Sequence, residues 1–200
     1  MNAEQETPYG PAEDHSIALA LANARALAIS IPLTITLWGL YAWFQPDDPL
    51  LEPLGTLSAL ASLLLAIVVA VSIHEAIHGL GWALFGRAPL RRVRFGLAAR
   101  TLNPYAHMLD PIPARAYRWG TALPGLILGL LPCATALAAG SAWWMLFGLT
   151  LTLAAGGDML VLWLLRGVDG NALVIDHPSR AGCLVLRGEQ PILPSAPPVI

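Results

Sequence analysis

The stretch that decides the fold is residues 54–85, LGTLSALASLLLAIVVAVSIHEAIHGLGWALF. It is apolar over most of its length, and no charged residue occurs between Glu52 and His74. A helix that spans a membrane needs about 20 predominantly apolar residues, so this segment can cross a bilayer with length to spare. The few ionisable side chains inside it are costly at that depth, and such residues usually mark a functional site.

Those ionisable side chains form the pattern His74-Glu75-Ala76-Ile77-His78. Histidines four residues apart share one face of a helix, so both imidazoles can reach one metal ion. The pattern is typical of zinc metallopeptidases, in which the glutamate takes a proton from a zinc-bound water. We therefore predict His74 and His78 as zinc ligands and Glu75 as the catalytic base. The alternative is a pair of packed, hydrogen-bonded histidines, with Glu75 making a polar contact inside a helix bundle.

The composition indicates an integral membrane protein. Hydrophobic residues make up 56% of the 200 residues and charged residues only 12%, whereas soluble domains average about 25% charged residues. We predict an all-α fold of about four transmembrane helices, over residues 26–44, 54–85, 119–139 and 142–165.

Charge placement predicts the orientation of these spans. The stretch between the second and third spans carries seven arginines, whereas the loop between the first and second carries Asp47, Asp48 and Glu52. Basic loops tend to stay in the cytoplasm. We therefore expect a bacterial cytoplasmic membrane protein with both termini in the cytoplasm.

The segments outside the spans are assigned from their patterns. Polar and apolar residues alternate over 92–96, and 101–108 can form a return strand, so we predict a small cytoplasmic β-hairpin between helices 2 and 3. An irregular basic loop near anionic lipid is the alternative. The predicted division is a disordered N-terminal tail (1–24), a transmembrane metallopeptidase-like domain (25–166), a short cytoplasmic β-rich tail (167–190) and a disordered Pro-rich end (191–200).

A catalytic zinc site uses three protein ligands, and Asp158 is the best candidate for the third. His78 lies nine residues before Arg87, and Asp158 lies eight before Arg166. At about 1.5 Å per residue, both groups sit at a similar depth of roughly 12–14 Å. Gly156 and Gly157 would permit close helix packing. Alternatively, Asp158 is a structural hydrogen-bond acceptor or the partner of an interfacial arginine.

Three other residues are weaker candidates. His107 and Tyr105, in the predicted return strand, could support the metal ligands or contact a substrate. An exposed loop histidine is the alternative for His107. His177, in Asp176-His177-Pro178, has the sequence of a turn.

With these residues in view, the chain resembles the site-2-protease class of intramembrane zinc metallopeptidases, and is most similar to a small bacterial zincin peptidase family. The resemblance covers about residues 60–190. It depends on His74 to His78, the loop from Phe95-Gly96 to Tyr105-Ala106-His107, Gly157-Asp158, and Asp176-His177-Pro178 with Gly182. It implies zinc binding by His74, His78 and Asp158, Glu75 as general base, and a hairpin that presents substrate by strand addition. The chain departs from the better-known members in having Gly157-Asp158-Met159 where they have Leu-Asp-Gly.

These features predict a zinc metalloendopeptidase that hydrolyses peptide bonds of membrane-associated substrates. The expected cofactor is Zn²⁺ and the expected partners are a membrane-protein or peptide substrate and the lipid bilayer, with no nucleic acid. The main alternative is a non-catalytic membrane protein with a structural or sensory zinc site. A di-iron desaturase would need more than the five histidines present. An ion transporter would be expected to show an inverted repeat, which is not evident here.

Overall fold

The computed structural model describes residues 4–51, 54–98 and 103–187. The helices are α1 (Leu19–Phe44), α2 (Leu57–Gly86), α3 (Ala114–Pro124), α4 (Leu131–Ala139), α5 (Ala142–Ala154) and α6 (Gly156–Leu164). A stretch of π-helix, Gly125–Leu130, joins α3 to α4. The strands are β1 (Glu4–Thr7), β2 (Gly10–Ile17), β3 (Val93–Ala98), β4 (Asn103–Met108), β5 (Ile112–Pro113), β6 (Leu173–Asp176) and β7 (Ala181–Leu186).

Three helices of the described chain are long and apolar enough to cross a membrane: α1, α2 and the continuous helix over Ala114–Ala139. A fourth span results if α5 and α6, which meet at a 42° bend, are counted together. The helices expose large apolar side chains such as Leu57, Val68 and Leu84. This exposure is compatible with a membrane location, because lipid tails are as apolar as these side chains.

The bend between α5 and α6 falls at a glycine pair. Ala155 leaves helical geometry, with φ −71° and ψ 6°, and Gly156 and Gly157 begin α6. Glycine pairs are a common cause of sharp helix kinks because they lack side chains that reinforce the helix. The kink places Asp158 in the first turn of a new helix, where the positive end of the helix dipole favours a carboxylate.

The prediction of an all-α fold is wrong. Besides the β3–β4 hairpin, the structure contains a five-stranded antiparallel sheet in the order β1-β2-β7-β6-β5. Its strands come from the N-terminal segment, the stretch before α3 and the tail after α6. Each strand is short, and its pairing is long-range, so local periodicity gives little sign of it. Burial of Ala12, Val174 and Cys183 at the sheet surface stabilises the pairing.

This sheet also changes the assignment of the N-terminal segment. Residues 4–17, which sequence analysis assigned to a disordered tail, form β1 and β2, and α1 begins at Leu19 rather than near residue 26. The tail after α6, which was predicted to be β-rich, contains β6 and β7. The Pro-rich end at 191–200 lies outside the described residues.

The hairpin between α2 and α3 pairs β3 with β4 in an antiparallel register that sets Phe95 opposite Ala106 and Arg94 opposite His107. Residues 99–102, between the two strands, lie outside the described residues. The ring of Phe95 packs over Gly79 of α2, where a Cβ atom would collide with it. The hairpin therefore lies directly against the helix that carries the His-Glu motif.

Close packing of α2 against α3 depends on two glycines. A Cβ atom at Gly81 would lie 2.8 Å from the Gly120 Cα, and one at Gly120 would collide with the Trp82 side chain. The two backbones therefore approach more closely than any larger residue allows. Trp82, Val93, Met108, Tyr117 and Val174 belong to one buried cluster that joins these helices to both sheets.

Candidate metal centre

Three side chains from two helices converge on one point. His74 and His78 lie one turn apart on α2, and Asp158 reaches them from α6. The Asp158 carboxylate lies 3.0 Å from His74 Nε2 and 3.2 Å from His78 Nε2, and the two Nε2 atoms are 3.1 Å apart. The predicted meeting of these three residues is therefore present in the structure.

The backbone of α3 sets the orientation of the His78 ring. His78 Nδ1 lies 3.0 Å from the Gly120 carbonyl oxygen. A carbonyl oxygen can only accept, so Nδ1 carries the hydrogen and donates it. When His78 is neutral, its Nε2 atom therefore carries no hydrogen, and the lone pair of Nε2 faces His74 and Asp158. Hydrogen bonds of this kind fix the ring and tautomer of histidines that bind metals.

The donor chemistry of the cluster fits a divalent cation. A neutral His78 presents only a lone pair at Nε2, so it cannot donate to the carboxylate oxygen 3.2 Å away. Two imidazole nitrogens and a carboxylate oxygen, all within 4.8 Å of one another, thus form a group rich in acceptors. Such a group needs added protons or a metal ion to be stable. Two histidines and one carboxylate form a three-ligand set that suits catalytic zinc.

Asp158 is positioned by packing against helices other than α2. A Cβ atom at Gly156 would lie 2.8 Å from Ser30 Oγ and 2.9 Å from the Ala26 carbonyl oxygen, so this glycine seats α6 on α1. Gly157, by contrast, faces open space. At the far end, the Arg118 guanidinium donates to the carbonyl oxygens of Leu165 and Val168. These contacts fix α6 at both ends.

Glu75 lies beside the cluster and bonds to the hairpin. Its Oε2 accepts a hydrogen bond of 2.7 Å from the backbone N–H of Ala106 in β4. The Glu75 carboxylate is therefore held next to the two histidines without itself joining the group of convergent ligand atoms. This separation from the ligand set leaves it free to exchange a proton.

Asp176, at the end of β6, is a second carboxylate in the site, and it contacts residues of β4 and α3. It accepts from the backbone N–H of Met108 at 2.8 Å and from the Tyr117 hydroxyl. His107 Nδ1 lies 3.2 Å away. Burial raises the pKa of the Asp176 carboxyl, against the lowering effects of His107, Tyr117 and the Met108 N–H. Asp176 therefore ties the hairpin, α3 and the large sheet together.

A stack of aromatic rings connects the two carboxylate sites. His78 lies over Trp82, and Trp82 over Tyr117, each pair with ring centroids 5.2 Å apart. Trp82 Nε1 also donates to the Tyr117 carbonyl oxygen at 3.2 Å. Large stacked rings have few alternative rotamers, so the stack keeps the metal cluster and Asp176 at a fixed separation.

Two cavities meet at Glu75. One, of about 240 Å³, lies toward the large sheet and is lined by polar groups that include His78, His107, Asp158, Asp176 and Arg180. The other, of about 310 Å³, lies between α2, α5 and the hairpin, and includes Val71, His74, Pro104 and Leu151. The cluster can thus be reached from a polar side and from a largely apolar side.

The three weaker candidates, His107, Tyr105 and His177, have different surroundings in the structure. His107 lines the polar cavity and contacts Asp176. Tyr105 is 40% exposed and covers Gly96 across the hairpin, and it does not line that cavity. His177 forms a turn, as its sequence predicted: its Nδ1 accepts from the N–H groups of Ser179 and Arg180.

Sequence reasoning missed four participants in the site: Gly120, Ala106, Tyr117 and Asp176. The first two act through the backbone, and their residue types carry no signal of it. Tyr117 lies in an ordinary helix. Asp176 stands in a sequence that we assigned to a turn, although an aspartate that ends an apolar strand can also be buried.

Comparison with known proteins gives one match. A family model described as "Putative zincin peptidase" matches residues 67–173, which is more than half of the 200-residue chain and includes the whole cluster. No curated protein matches the chain, and no solved structure matches it. Zincins are zinc-dependent peptidases, so the match supports zinc as the metal and a metallopeptidase as the class of hydrolase. The chain belongs to the family of putative zincin peptidases.

Proposed function

We propose that this protein is an intramembrane zinc metallopeptidase of the site-2-protease type, with zinc held by His74, His78 and Asp158. The observation that carries the proposal is the convergence of these three side chains beside Glu75, on helices apolar enough to cross a membrane. A zinc ion there would lower the pKa of water toward about 7 and polarise a peptide carbonyl.

Glu75 is the general base in this proposal. Its carboxylate is fixed by the Ala106 N–H, so it can accept a proton from water and pass it to the leaving amine of the substrate without reorienting. A base positioned in this way contributes about 10²–10⁴-fold to the rate. His107, in the same polar cavity, is our candidate for contacting the substrate near the scissile bond.

Substrate and water would reach the site from different sides. The cavity between α2, α5 and Pro104 is suited to an unwound segment of a membrane protein, because its walls are largely apolar. The polar cavity toward the large sheet would supply water. Strand β4 lies one hydrogen bond from Glu75, so an extended substrate added along the hairpin would pass beside the base.

We further propose four spans, with both termini on the arginine-rich side of a bacterial cytoplasmic membrane. β2 pairs with β7, and β5 pairs with β6. Because strands cannot pair across the hydrocarbon core, these segments lie on one side, and the helices between them must cross in pairs. The bent α5–α6 pair would then be a full span. Reporter fusions at both termini should place both in the cytoplasm; a periplasmic terminus would contradict this topology.

The proposed activity can be tested with purified, zinc-loaded protein and its Glu75→Gln variant. Both would be incubated in detergent with a detergent-solubilised membrane-protein fraction, and new protein termini would be identified by mass spectrometry. We expect termini within apolar segments that appear with the wild type and are lost in the variant, with equal zinc content in both proteins.

Two outcomes would contradict the proposal. Identical new termini from both proteins would show that Glu75 is not the base. No cleavage by fully zinc-loaded wild type, across fractions from several membranes, would favour the structural or sensory zinc site.

A further inference from the structure

A cavity lies away from the metal cluster, between α1, α6 and the end of β2. Its volume is about 680 Å³, which falls within the range of about 300–1,000 Å³ typical of small-molecule sites. The peptidase proposal assigns no role to this cavity.

The cavity wall changes from basic to apolar along both helices. Arg25 lies at one end of the α1 wall, and Ala28 and Ile29 lie about one helical turn further along. Arg166 follows α6 at the same end, after Leu160 and Leu164. Arg25 and Arg166 thus line the same cavity as an apolar wall that α1 and α6 contribute.

The charged side chains that line this cavity favour the binding of an anion. Among the described residues, the Arg25 side chain has no hydrogen-bond or ion-pair partner. Arg166 lies over the Trp163 ring, 4.3 Å from its centroid, and donates to one carbonyl oxygen, so most of its donors are available. The one carboxylate in the lining, Asp14, accepts from the Ser16 N–H at 2.9 Å and lies 3.9 Å from Arg180 Nε. The local charge at the rim is therefore positive.

We propose that this cavity binds an anionic phospholipid, with its phosphate between Arg25 and Arg166 and its acyl chains along Ile29 and Leu164. Basic pockets between transmembrane helices bind anionic headgroups, and each arginine near such a surface adds to the attraction. The apolar wall below the arginines distinguishes a lipid from a soluble phosphate, which would gain nothing from it.

The test measures lipid retention by native mass spectrometry of the full chain in detergent. Dioleoyl phosphatidylglycerol, dioleoyl phosphatidylcholine and inorganic phosphate would be offered separately to the wild type and to an Arg25→Gln/Arg166→Gln variant. The matched control is Arg91→Gln/Arg94→Gln, which removes the same charge from exposed arginines outside the cavity. A third variant, Ala28→Trp, fills the apolar part while keeping both arginines.

We expect the wild type and the control to retain phosphatidylglycerol over phosphatidylcholine, and the cavity double variant to lose about tenfold or more of that retention. Ala28→Trp should also reduce it. Equal retention by the cavity and control variants would overturn the proposal in favour of a diffuse basic surface. Binding of inorganic phosphate that matches the lipid would show an anion site only. No step of this test depends on peptidase activity.

Discussion

Asp158 and Asp176 line the same cavity, and each lies within 3.2 Å of a histidine, yet their partners differ. Asp176 accepts from the Tyr117 hydroxyl and the Met108 backbone N–H, and the Nδ1 atom of His107 lies 3.2 Å away. Asp158 meets two imidazole Nε2 atoms, and one of these carries no hydrogen when His78 is neutral. A shielded carboxylate needs hydrogen-bond donors or a cation. Asp176 thus has two donors from the protein, whereas Asp158 has at most His74 Nε2 unless a proton or a metal ion is added.

The difference assigns the two carboxylates to separate tasks. Asp158 forms a ligand set with His74 and His78, and their ligand atoms converge on a point that a proton or a metal ion can occupy. Asp176 is saturated by the protein and acts as a structural junction that holds His107 and the hairpin in place. The His78–Trp82–Tyr117 stack sets the distance between them. The predictions below separate these tasks, beginning with the largest effect.

Removal of a zinc-binding side chain should cause the largest change, a loss of bound zinc. We expect about one zinc per wild-type chain, and near-complete loss in Asp158→Ala and His78→Ala, because two remaining ligands hold zinc poorly. Asp176→Asn should keep its zinc. Metal content of detergent-purified protein would be measured by plasma mass spectrometry after zinc repletion and desalting. Full zinc in Asp158→Ala, or equal loss in Asp176→Asn, would abolish the distinction between the two carboxylates.

Gly120→Ala should lower the affinity for zinc, but less than removal of a zinc ligand does. The new Cβ would collide with Trp82 and shift the carbonyl that holds His78, and loss of such support typically lowers metal affinity about 10–100-fold. Chelator competition would measure the affinity. Gly157→Ala is the matched control, since it also lies in a helix, next to a ligand, but faces open space. Equal affinities for the two variants would argue against orientation of His78 by the Gly120 carbonyl.

On the Asp176 side the readout is stability. Asp176→Asn should lower the free energy of unfolding by about 1–3 kcal/mol, because two donors lose a carboxylate acceptor, and Tyr117→Phe by about 1 kcal/mol, because the carboxylate loses a donor. The two changes should couple in a double-mutant cycle, since the residues share a hydrogen bond. Denaturant unfolding of the zinc-free protein in detergent would provide the values. Strict additivity would show that the bond contributes nothing.

The smallest effect concerns His177. Burial lowers the pKa of this imidazole, a shift that nearby Arg180 reinforces and Asp14 opposes. Its stability contribution is therefore complete above the ordinary histidine pKa of about 6.5 and declines as the pH falls below it. His177→Asn keeps an acceptor for the turn but cannot titrate, so the variant should lose less stability than wild type between about pH 7.5 and about pH 5.5. If the wild type and the variant lost the same stability as the pH fell, His177 would not contribute to the pH dependence.

Much of the site could be predicted from local sequence, because the spacing of His74 and His78 has only one consequence on a helix. Asp158 could be predicted because a charge is rare in an apolar segment and its depth could be counted. The expected role of the glycine pair was only partly right. Gly156 does allow close packing, but against α1, and the pair also bends the helix that presents Asp158.

The five-stranded sheet could not be predicted in the same way. β2 and β7 are more than 160 residues apart, and β5 is two residues long. The tail that contains β6 and β7 was predicted to be β-rich. β1, β2 and β5 have no periodicity that stands out from loop sequence, since strand formation here depends on partners supplied by distant segments. The supporting roles of Gly120 and Ala106 were hidden for a related reason, because every residue other than proline has the same backbone donor and acceptor.

The sequence by itself determined that several segments are long and apolar enough to cross a membrane, that two histidines share a helix face with a glutamate next to the first, and that Asp158 lies in another apolar segment at a matching distance from an arginine. These are properties of composition and helical spacing, which act over a few turns. Only the tertiary structure decided that Asp158 meets both histidines, that the Gly120 carbonyl orients His78, and that Asp176 holds the hairpin to the sheet. Contacts between distant segments depend on packing of the whole chain, and no local pattern records them.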